Sequence, residues 1–434
     1  MYLAEIFGDH MVLQRDQEIC IFGYGRGKGT IDFCGEKYNF TSNCDKFRVY
    51  LHSQPAGGPY EMKVTLNGEE IIIKDIMIGD VYIAAGQSNI EYCLGGTYDI
   101  EYTNNYNIRF FTEPNDAGME GEHFHNSSDW IICKDESVGV FSAIGYYFAV
   151  ELQKHTNVPI GVVSCSKGAS RVDAWTSPEY VESAEYQEMI KVKHYDYDVY
   201  KFNQEGWLYK NKLLSIVPFA NSGVLWYQGE SNRCHEEGVH YAKMLEIMIK
   251  NWREIWNYNL PFYCVQLMPF DEPSTIADWA IIRSQQEVAS KTIKNVYLVT
   301  VVDTGEARII HPLRKKKVSY ALSNAVRNVQ FGHNIEYCGP ILEDYENGED
   351  YIKLIFSHAN GLHTKGDFLQ DTFIYAENFE PLPVNHIIED NALKIFWEFG
   401  AKPKRIVMGY GNIPMHNLYN NSNYLASPFS LEID

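Results

Sequence analysis

Four short polar clusters, each following an apolar run, contain the residue types that acyl transfer requires. These clusters are Gln87-Ser88-Asn89, Ser164 to Ser170, Gln228 to Asn232, and Asp303 to His311. Acyl transfer needs a nucleophile, a general base within hydrogen-bonding reach, and donors that stabilise the oxyanion. Ser88 can serve as the nucleophile, and His311, which directly precedes Pro312 at the expected start of a helix, can serve as the base. The clusters therefore favour one reactive site over four unrelated loops.

Ser88 also has a purely structural interpretation. Serine is favoured at the N-cap of a helix, and Glu91 follows three residues later, as in a capping box. Taken alone, this segment favours the cap over the nucleophile. The two roles are compatible, so the other clusters have to decide between them.

The second and third clusters supply candidate oxyanion donors. Gly168 can bring a backbone N–H close to a substrate oxygen, and a glycine needed only for the turn explains it equally well. Gln228 can donate its amide hydrogens to an oxyanion, while Glu230 can orient a base or bind sugar hydroxyls. The alternative for both is a structural network, because polar groups after a buried strand are costly unless paired. We expect Trp175 in the core.

The segments that position these clusters alternate between two patterns. Between residues 79 and 330, short apolar runs suit buried parallel strands, and helical periodicity covers 139–156, 240–256 and 277–292. This alternation predicts βαβ units and a three-layer α/β domain. Ligands bind outside the carboxyl ends of the strands in such sheets, which predicts that the four clusters share one rim.

Strand-like segments flank this α/β region on both sides. Residues 1–78 are rich in β-branched and aromatic residues broken by turns, and Asn67-Gly68 predicts a two-residue type I′ hairpin loop. Residues 331–434 return to strands without a clear helical pattern. The sequence thus predicts accessory all-β modules at both ends of the α/β domain.

Composition excludes several classes of protein. The net charge of −20 and the pI near 5.1 argue against nucleic acid and anionic membranes as partners. No apolar stretch is long enough for a membrane span, and the first residues lack the pattern of a signal peptide, so we expect a cytoplasmic protein. A homo-oligomer is compatible with the sequence.

Cofactor and metal motifs are weak in this sequence. The nine cysteines form no C-x-x-C pair, so we expect mostly small core residues rather than a disulfide or zinc framework. His123, His125, His235 and His240 lie in polar stretches without an H-E-x-x-H motif, so we expect no metal. The glycine-rich stretch Gly23 to Gly29 lacks a surrounding βαβ unit, which excludes a dinucleotide site. No cofactor is expected.

Taken together, the clusters resemble a known family. "GDVYIAAGQSNIEY", "PIGVVSCSKGASRVDAW", "LWYQGESN" and "IIHP", in that order, are similar to the motifs of the sialate O-acetylesterase group within the SGNH/GDSL hydrolase superfamily. "HMVLQRDQ" and "AGGPYEMKV" resemble the family's N-terminal β module, and "NLYNNSNYLASPF" resembles its closing segment. The resemblance covers nearly the whole chain and implies an SGNH-like catalytic domain.

The resemblance also implies roles for individual residues. It implies that Ser88 is the nucleophile and His311 the general base, with the N–H groups of Ser88 and Gly168 and the Gln228 side chain as oxyanion donors. Residues expected to contact the substrate are Gln87, Asn89, Glu230, Asn232 and Arg308. The implied reaction removes an O-acetyl group from a sugar through an acetyl-serine intermediate.

One position departs from the family pattern. The family places an aspartate three residues before the histidine, and this chain has Arg308 there. A positive charge cannot stabilise an imidazolium and lowers the basicity of a nearby histidine. Glu306 or Asp303 can supply the carboxylate instead, as can Glu230, or a backbone carbonyl can orient His311. A catalytically impaired protein is the remaining alternative. "SKGASR", where the family has an aromatic residue and paired glycines, indicates an altered substrate fit.

These observations leave three hypotheses about function. The first is a carbohydrate O-acetylesterase that acts on sialic acids or on acetylated plant glycans such as xylan. The second is a catalytically weak glycan-binding protein, which Arg308 motivates. The third is a broad short-chain esterase or lipase, which the polar character of the clusters disfavours.

Overall fold

The computed structural model describes residues 1–98, 100–114, 129–190, 200–272, 278–376, 381–382, 384–397 and 403–433. The chain folds as two compact units. The first unit comprises Met1–Gln228, Met244–Phe262 and Leu313–Ser323. The second unit comprises Gly229–Lys243, Tyr263–Pro312 and Asn324–Asp434.

The strands are, in chain order, β1 (Tyr2–Leu3), β2 (Val12–Gln14), β3 (Ile19–Tyr24), β4 (Gly27–Phe33), β5 (Glu36–Ser42), β6 (Lys46–Leu51), β7 (Gly57–Leu66), β8 (Glu69–Gly86), β9 (Asn105–Thr112), β10 (Ile131–Cys133), β11 (Ile160–Ser166), β12 (Gly223–Tyr227), β13 (Phe262–Val265), β14 (Val296–Val299), β15 (Ile341–Asn347), β16 (Tyr351–Ser357), β17 (His363–Thr364), β18 (Thr372–Tyr375), β19 (Pro381–Leu382), β20 (Val384–Glu389), β21 (Ala392–Trp397), β22 (Arg405–Met408), β23 (Leu418–Tyr419) and β24 (Phe429–Glu432).

The α-helices are α1 (Ser88–Glu91), α2 (Ala143–Thr156), α3 (Pro178–Val181), α4 (Ala184–Met189), α5 (Leu214–Ile216), α6 (His235–Gly238), α7 (Tyr241–Trp256), α8 (Trp279–Thr292) and α9 (Lys316–Phe331). Short 3-10 segments cover Leu94–Gly96, Asp135–Val140, Val172–Trp175, Lys201–Asn203, Glu230–Asn232 and Val302–Thr304, and a π-helical turn covers Tyr209–Leu213. The three helices predicted from periodicity are confirmed as α2, α7 and α8.

Strand β8 organises the sheet of the first unit. Its N-terminal half pairs antiparallel with β7, and its C-terminal half pairs in parallel with β11 on one side and β12 on the other. Beyond β11 lie β9, which is parallel, and β10, which is antiparallel to β9. The predicted parallel strands are therefore observed in β9, β11, β8 and β12, within a larger sheet that is mixed.

The N-terminal strands join this sheet because β8 is a single strand of 18 residues. It continues through the predicted boundary at residue 78 and joins the N-terminal strands to the parallel strands. Gly79 does not break the strand but permits a close approach, since a Cβ atom there would lie 1.9 Å from the carbonyl oxygen of Pro159. The three-part division of the chain stays a prediction.

The hairpin between β7 and β8 has the geometry that the sequence predicts. Asn67 and Gly68 form the two-residue loop with φ values of 52° and 86°. Both residues tolerate positive φ, which a type I′ turn requires at both of its central positions. This loop turns the chain directly into the long strand that ends at the site.

Five aromatic rings pack together in the core of the first unit. Trp252 lies edge-on to Trp175 and Trp226 at ring-centroid distances of 6.3 and 5.9 Å, and it also contacts Trp256 and Phe262. Its indole N–H donates to the carbonyl oxygen of Trp175 at 2.9 Å. The prediction that Trp175 belongs to the core is confirmed, since its side chain is fully buried.

The second unit combines α8 and the neighbouring strands β13 and β14 with separate antiparallel sheets. These sheets have the orders β15-β16-β21-β20, β17-β23 and β19-β18-β22-β24. Apolar side chains from their strands, including Leu354, Ile395 and Ile406, form a core of their own. The chain thus has a mixed α/β fold with one large mixed sheet and additional all-β sheets.

Two further sequence expectations concern cysteines and membrane segments. The nine cysteines are free, and most of them are buried, as predicted. Among the helices of the described residues, none is both long and apolar enough to cross a membrane.

The aromatic centre of the first unit yields a stability prediction. We expect Trp252→Ala to lower the free energy of unfolding by about 3–5 kcal/mol, because it leaves a large cavity among the four other rings. Trp252→Phe should cost less, because it keeps most of the packing and loses the hydrogen bond to Trp175. Urea unfolding followed by tryptophan fluorescence and circular dichroism measures both variants. Phe368→Ala is the control, because Phe368 is 78% exposed, and a loss for Trp252→Ala no larger than that control's would contradict the prediction.

Candidate active site

The parallel pairing around β8 brings together two polar clusters of the first unit and Gln228, the first residue of a third cluster. Gly86, the last residue of β8, is level with Ser166 of β11 and with Tyr227 of β12. The chain therefore leaves all three strands at the same edge of the sheet. Ser88 begins helix α1 at this edge, and the turn after Ser166 and the side chain after Tyr227 flank it. The predicted common rim is observed for the first two clusters and for Gln228.

Gly86 makes the sharp turn into α1 possible. Its φ of 129° lies in a region that L side chains rarely adopt, and a Cβ atom there would lie 2.1 Å from the carbonyl oxygen of Tyr227. The carbonyl oxygen of Gly86 accepts hydrogen bonds from the N–H of Lys167 at 3.0 Å and from the Ser170 hydroxyl at 3.3 Å. The turn before Ser88 is thus held by both neighbouring strands.

The capping interpretation of Ser88 is wrong in its geometry. The N-cap of α1 is Gln87, and Ser88 is the first residue inside the helix. Gln87 makes no side-chain cap, and the Glu91 carboxylate accepts the backbone N–H of Gly168 from the neighbouring loop. The hydrogen bonds of α1 therefore connect the helix to its surroundings, and the half-buried Ser88 side chain is not the cap.

Gln228 and Gln87 form a buried pair next to Ser88. The side-chain N–H groups of Gln228 donate to Gln87 Oε1 at 3.2 Å and to the carbonyl oxygen of Ser170 at 3.0 Å. Gln228 is completely buried, and Gln87 is 3% exposed. These bonds fix the residue before Ser88 to the second cluster. The predicted oxyanion donor Gln228 and the predicted substrate contact Gln87 are thus part of an internal network.

Gly168 lies beside Ser88 but its N–H has a partner. A Cβ atom placed on Gly168 would lie 3.5 Å from Ser88 Cβ and 3.0 Å from Glu91 Oε2. Its N–H donates to that carboxylate. Burial raises the pKa of Glu91 above its usual value, and the charges of Lys212 and Lys167 oppose this rise. A carboxyl group therefore lies directly beside the candidate nucleophile.

Two lysines complete the charged surroundings of Glu91. Lys167 is 1% exposed, and its Nζ lies 5.0 Å from the centre of the Phe202 ring. Burial lowers the pKa of Lys167, and the charge of Glu91 counteracts that shift. Lys212, also buried, donates to the carbonyl oxygens of Glu113 at 2.7 Å and Pro114 at 3.1 Å. Two positive charges that the sequence analysis did not identify thus act on the Glu91 carboxyl group.

Asn89, a predicted substrate contact, is also held internally. It is 2% exposed, and its Oδ1 accepts a hydrogen bond of 2.6 Å from Lys315 Nζ. Lys315 is itself 1% exposed and lies over the Tyr92 ring at 5.5 Å. Sequence analysis missed Lys315 and Glu91 as site residues. The available signal was their spacing, four residues after His311 and three after Ser88.

Glu230 and Asn232 belong to the second unit. Both are buried, on the 3-10 turn Glu230–Asn232 that follows Gly229. Asn232 donates to Glu237 Oε1 at 2.6 Å, and the carbonyl oxygen of Glu230 accepts from Arg233 at 3.0 Å. The polar groups of this predicted cluster thus take part in hydrogen bonds within their own segment.

The fourth cluster also lies in the second unit. The N–H of Ile309 donates to the carbonyl oxygen of Glu306 at 2.8 Å, which closes a turn on which Arg308 is exposed. Asp303 is exposed on a 3-10 turn, and its Oδ2 lies 3.5 Å from the Tyr419 hydroxyl. Burial, together with the charge of Asp303, raises the pKa of Tyr419 to about 12.

His311 follows this turn and is half-buried. The prediction that it stands at the start of a helix is wrong, because α9 begins at Lys316 and not at Pro312. An irregular segment of the chain therefore separates the histidine from the helix. Proline after His311 acts here as a restraint on the loop and not as the first residue of a helix.

No metal centre is present in the part of the chain that the structure describes. Within those ranges, no group of three or more histidine, cysteine, aspartate or glutamate side chains is placed to hold an ion. His123 and His125 lie outside the described residues.

The turn before Ser88 yields a second stability prediction. We expect Gly86→Ala to lower the free energy of unfolding by roughly 3 kcal/mol or more, because the φ value and the contact with Tyr227 both exclude a Cβ atom. Gly8→Ala is the matched control, since nothing lies within 4 Å of a Cβ atom there. Chemical denaturation of both variants measures the difference. Equal stability of the two variants would contradict the role assigned to Gly86.

Comparison with known proteins places this chain in a family. Residues 78–319 match the family described as carbohydrate esterase, sialic acid-specific acetylesterase. Sialate O-acetylesterase of Homo sapiens is 24% identical over 388 residues, covering 79% of this chain and 74% of that protein. The enzyme of the same name from Mus musculus is 23% identical over 412 residues, covering 79% and 76%.

A solved structure supports the same assignment. The crystal structure of a protein described as a novel carbohydrate acetylesterase from Xanthomonas citri is 26% identical and has a TM-score of 0.87, with all of both chains covered. The family match spans more than half of the 434 residues. This chain therefore belongs to the sialic acid-specific acetylesterase family of carbohydrate esterases.

Proposed function

We propose that this protein removes O-acetyl groups from a carbohydrate by acyl transfer to Ser88, with His311 as the general base. Membership of the carbohydrate esterase family makes the protein an ester hydrolase and implies acetylated sugars as its substrates. The serine mechanism and the residue roles go beyond that membership. We also propose a three-layer SGNH arrangement for residues 79–330.

One observation carries the proposal for Ser88. Its half-buried side chain begins α1 at the edge of the sheet where three parallel strands end. The neighbouring polar groups, Gln87, Gln228 and Asn89, are tied to one another or to lysine by hydrogen bonds. Such ties hold a nucleophile in a fixed position, which is what catalysis of acyl transfer requires.

The proposed reaction proceeds in two steps. Ser88 Oγ attacks the acetyl carbonyl carbon while His311 takes the hydroxyl proton, and the carbonyl oxygen becomes an oxyanion. The tetrahedral intermediate then collapses, and the bond between the acetyl carbon and the sugar oxygen breaks. His311 gives its proton to that oxygen, which leaves as the sugar hydroxyl. Water, activated by His311, then attacks the acetyl-serine and releases acetate.

We further propose that Glu306 orients His311 in place of the family's aspartate. Glu306 is half-buried, two residues before Arg308, on the turn that its carbonyl oxygen closes with Ile309. Asp303 is more exposed and lies near the Tyr419 hydroxyl. A carboxylate stabilises the imidazolium that forms during attack, and an arginine cannot.

The polar character of the rim supports a sugar as the leaving group. Long acyl chains need a contiguous apolar groove, whereas the residues around Ser88 are amides, charged groups and glycine. Sialic acids and acetylated plant glycans such as xylan both fit this chemistry. A glycan-binding protein with little activity is the second candidate, and Arg308 is the observation that favours it.

The nucleophile and the base can be tested directly. We expect Ser88→Ala and His311→Ala to lower kcat for 4-nitrophenyl acetate by at least about 1,000-fold, because each removes a group that forms or breaks bonds. A panel of acetylated sialic acids and acetylated xylan then identifies the natural substrate. Wild-type turnover that does not exceed that of the two variants would refute the esterase mechanism and favour glycan binding.

Two control variants separate chemistry from folding. Ser183→Ala alters the N-cap of α4, and His155→Ala removes a histidine paired with Glu151 on α2. Neither position belongs to one of the four clusters. The kcat values of these two control variants should stay within about threefold of wild type. The melting temperatures of the Ser88 and His311 variants should remain close to that of wild type, which shows that they fold normally.

The group that orients His311 can be identified by substituting the candidate carboxylates. We expect Glu306→Gln to lower kcat by up to about 10,000-fold, the loss seen when the orienting acid of a serine protease is replaced. The added substitution Arg308→Asp should recover at least tenfold, because it restores the family's Asp-x-x-His spacing.

Glu343→Gln, an exposed carboxylate on β15, is the matched control for this experiment. A larger loss in Asp303→Asn or Glu230→Gln would transfer the role to that residue. If none of these variants loses activity, a backbone carbonyl orients the histidine and the proposal for Glu306 is wrong.

A further inference from the structure

A tight turn follows β11 directly beside Ser88. The N–H of Ser170 donates to the carbonyl oxygen of Lys167 at 3.2 Å, which makes Gly168 and Ala169 the two central residues. Ala169 has a φ of 60°. Positive φ at the third residue is typical of a type II turn, where glycine or asparagine is preferred. Alanine therefore occupies a position that the turn makes costly by roughly 1–2 kcal/mol.

Asn203 holds this turn in its unfavourable conformation. Its Nδ2 donates to the carbonyl oxygen of Ala169 at 2.9 Å, and its Oδ1 accepts the N–H of Arg171 at 3.0 Å. The Asn203 side chain is completely buried. The preceding residue, Phe202, contacts Lys167 at the other end of the turn. A strained conformation persists only where its surroundings determine it, and here Asn203 bonds both the carbonyl oxygen of Ala169 and the N–H of Arg171.

The N–H groups of the turn differ in their partners. That of Gly168 donates to Glu91, and that of Ser170 closes the turn. The N–H of Ala169 donates to no acceptor within the ranges that the structure describes. Ala169 is half-buried, and its nitrogen is two bonds from Gly168 Cα, whose Cβ position lies 3.5 Å from Ser88 Cβ. An unpaired donor thus lies next to the nucleophile.

We infer that the backbone N–H of Ala169 is the second oxyanion donor, beside that of Ser88, and that Asn203 is the residue that positions it. This inference rests on the proposed acyl transfer at Ser88 and refines it. The donor that the family resemblance implied, the N–H of Gly168, is engaged by a carboxyl group that an oxyanion would have to displace.

The chemistry requires such a donor at the moment of attack. As the bond from Ser88 Oγ to the acetyl carbon forms, the carbonyl π electrons move to the oxygen, which becomes an anion. A prearranged N–H stabilises this charge without reorganisation, and one such donor is worth about 100- to 1,000-fold in kcat. Fixing Ala169 with positive φ therefore exchanges stability of the free protein for stabilisation of the transition state.

The test is a double-mutant cycle on the full-length protein with 4-nitrophenyl acetate. Asn203→Ala should lower kcat at least tenfold and change KM less than threefold, because the donor acts on the transition state. In the Ala169→Gly background the same substitution should lower kcat less than threefold, because glycine adopts positive φ without support. Equal losses in the two backgrounds would show that Asn203 only supports packing and would overturn the inference.

Two further variants serve as controls for this test. Asn251→Ala removes another buried asparagine of the first unit, whose Oδ1 accepts the N–H of Ser177 at 3.0 Å, and should lower the melting temperature without lowering kcat. Glu91→Ala frees the N–H of Gly168. If that N–H were the donor, kcat would rise, so a rise above threefold contradicts the inference, whereas a value at or below wild type is expected.

Failure of the inference and failure of the proposed function give different results. If wild-type protein turns over no faster than Ser88→Ala, the acyl transfer itself is refuted. If wild type is active and Asn203→Ala retains its kcat, the mechanism stands and the assignment of Ala169 is wrong.

Discussion

The position of the candidate nucleophile depends on the parallel pairing of β8 with both β11 and β12. Because parallel strands end at the same edge, this pairing places Ser166 and Tyr227 level with Gly86, two residues before Ser88. The carbonyl oxygen of Tyr227 lies so close to Gly86 that no side chain fits between them. The order of the strands alone therefore brings Ser88, the second cluster and Gln228 together, and the side chains only have to refine that placement.

Most polar groups at this edge are already paired with one another. Gln228 bonds to Gln87, Lys315 bonds to Asn89, and Glu91 accepts the N–H of Gly168. Buried polar groups are costly unless they are satisfied, so this network is a condition for folding as much as for catalysis. The structural and functional interpretations of the clusters are thus not alternatives, because the same bonds that satisfy the interior also hold the residues next to the candidate nucleophile Ser88.

Hydrophobic periodicity was enough to predict the strands and helices, but not how the sheet is assembled. The runs around β8, β11 and β12 are recognisable because burial on both faces selects continuous apolar residues. Sequence did not reveal that β8 continues through Gly79, since a glycine that permits close approach to Pro159 looks the same as one that breaks a strand. Nor did spacing reveal that α9 starts at Lys316 and not after His311, because proline is compatible with both a helix start and a loop.

The sequence predicts less about the site than it does about the fold. Motif matching identifies a segment of chain, whereas catalysis uses particular atoms. In "SKGAS", the residue that the motif indicates is not the one whose N–H lacks a partner among the described residues. The glycine in this motif is recognisable in the sequence, but its N–H is bonded to Glu91, which lies 77 residues away along the chain. The adjacent alanine looks unremarkable until its φ of 60° and its bond to Asn203 are known. Hydrogen bonds between residues far apart in the sequence determine which of two neighbouring N–H groups is left without a protein acceptor. The local sequence does not predict these bonds.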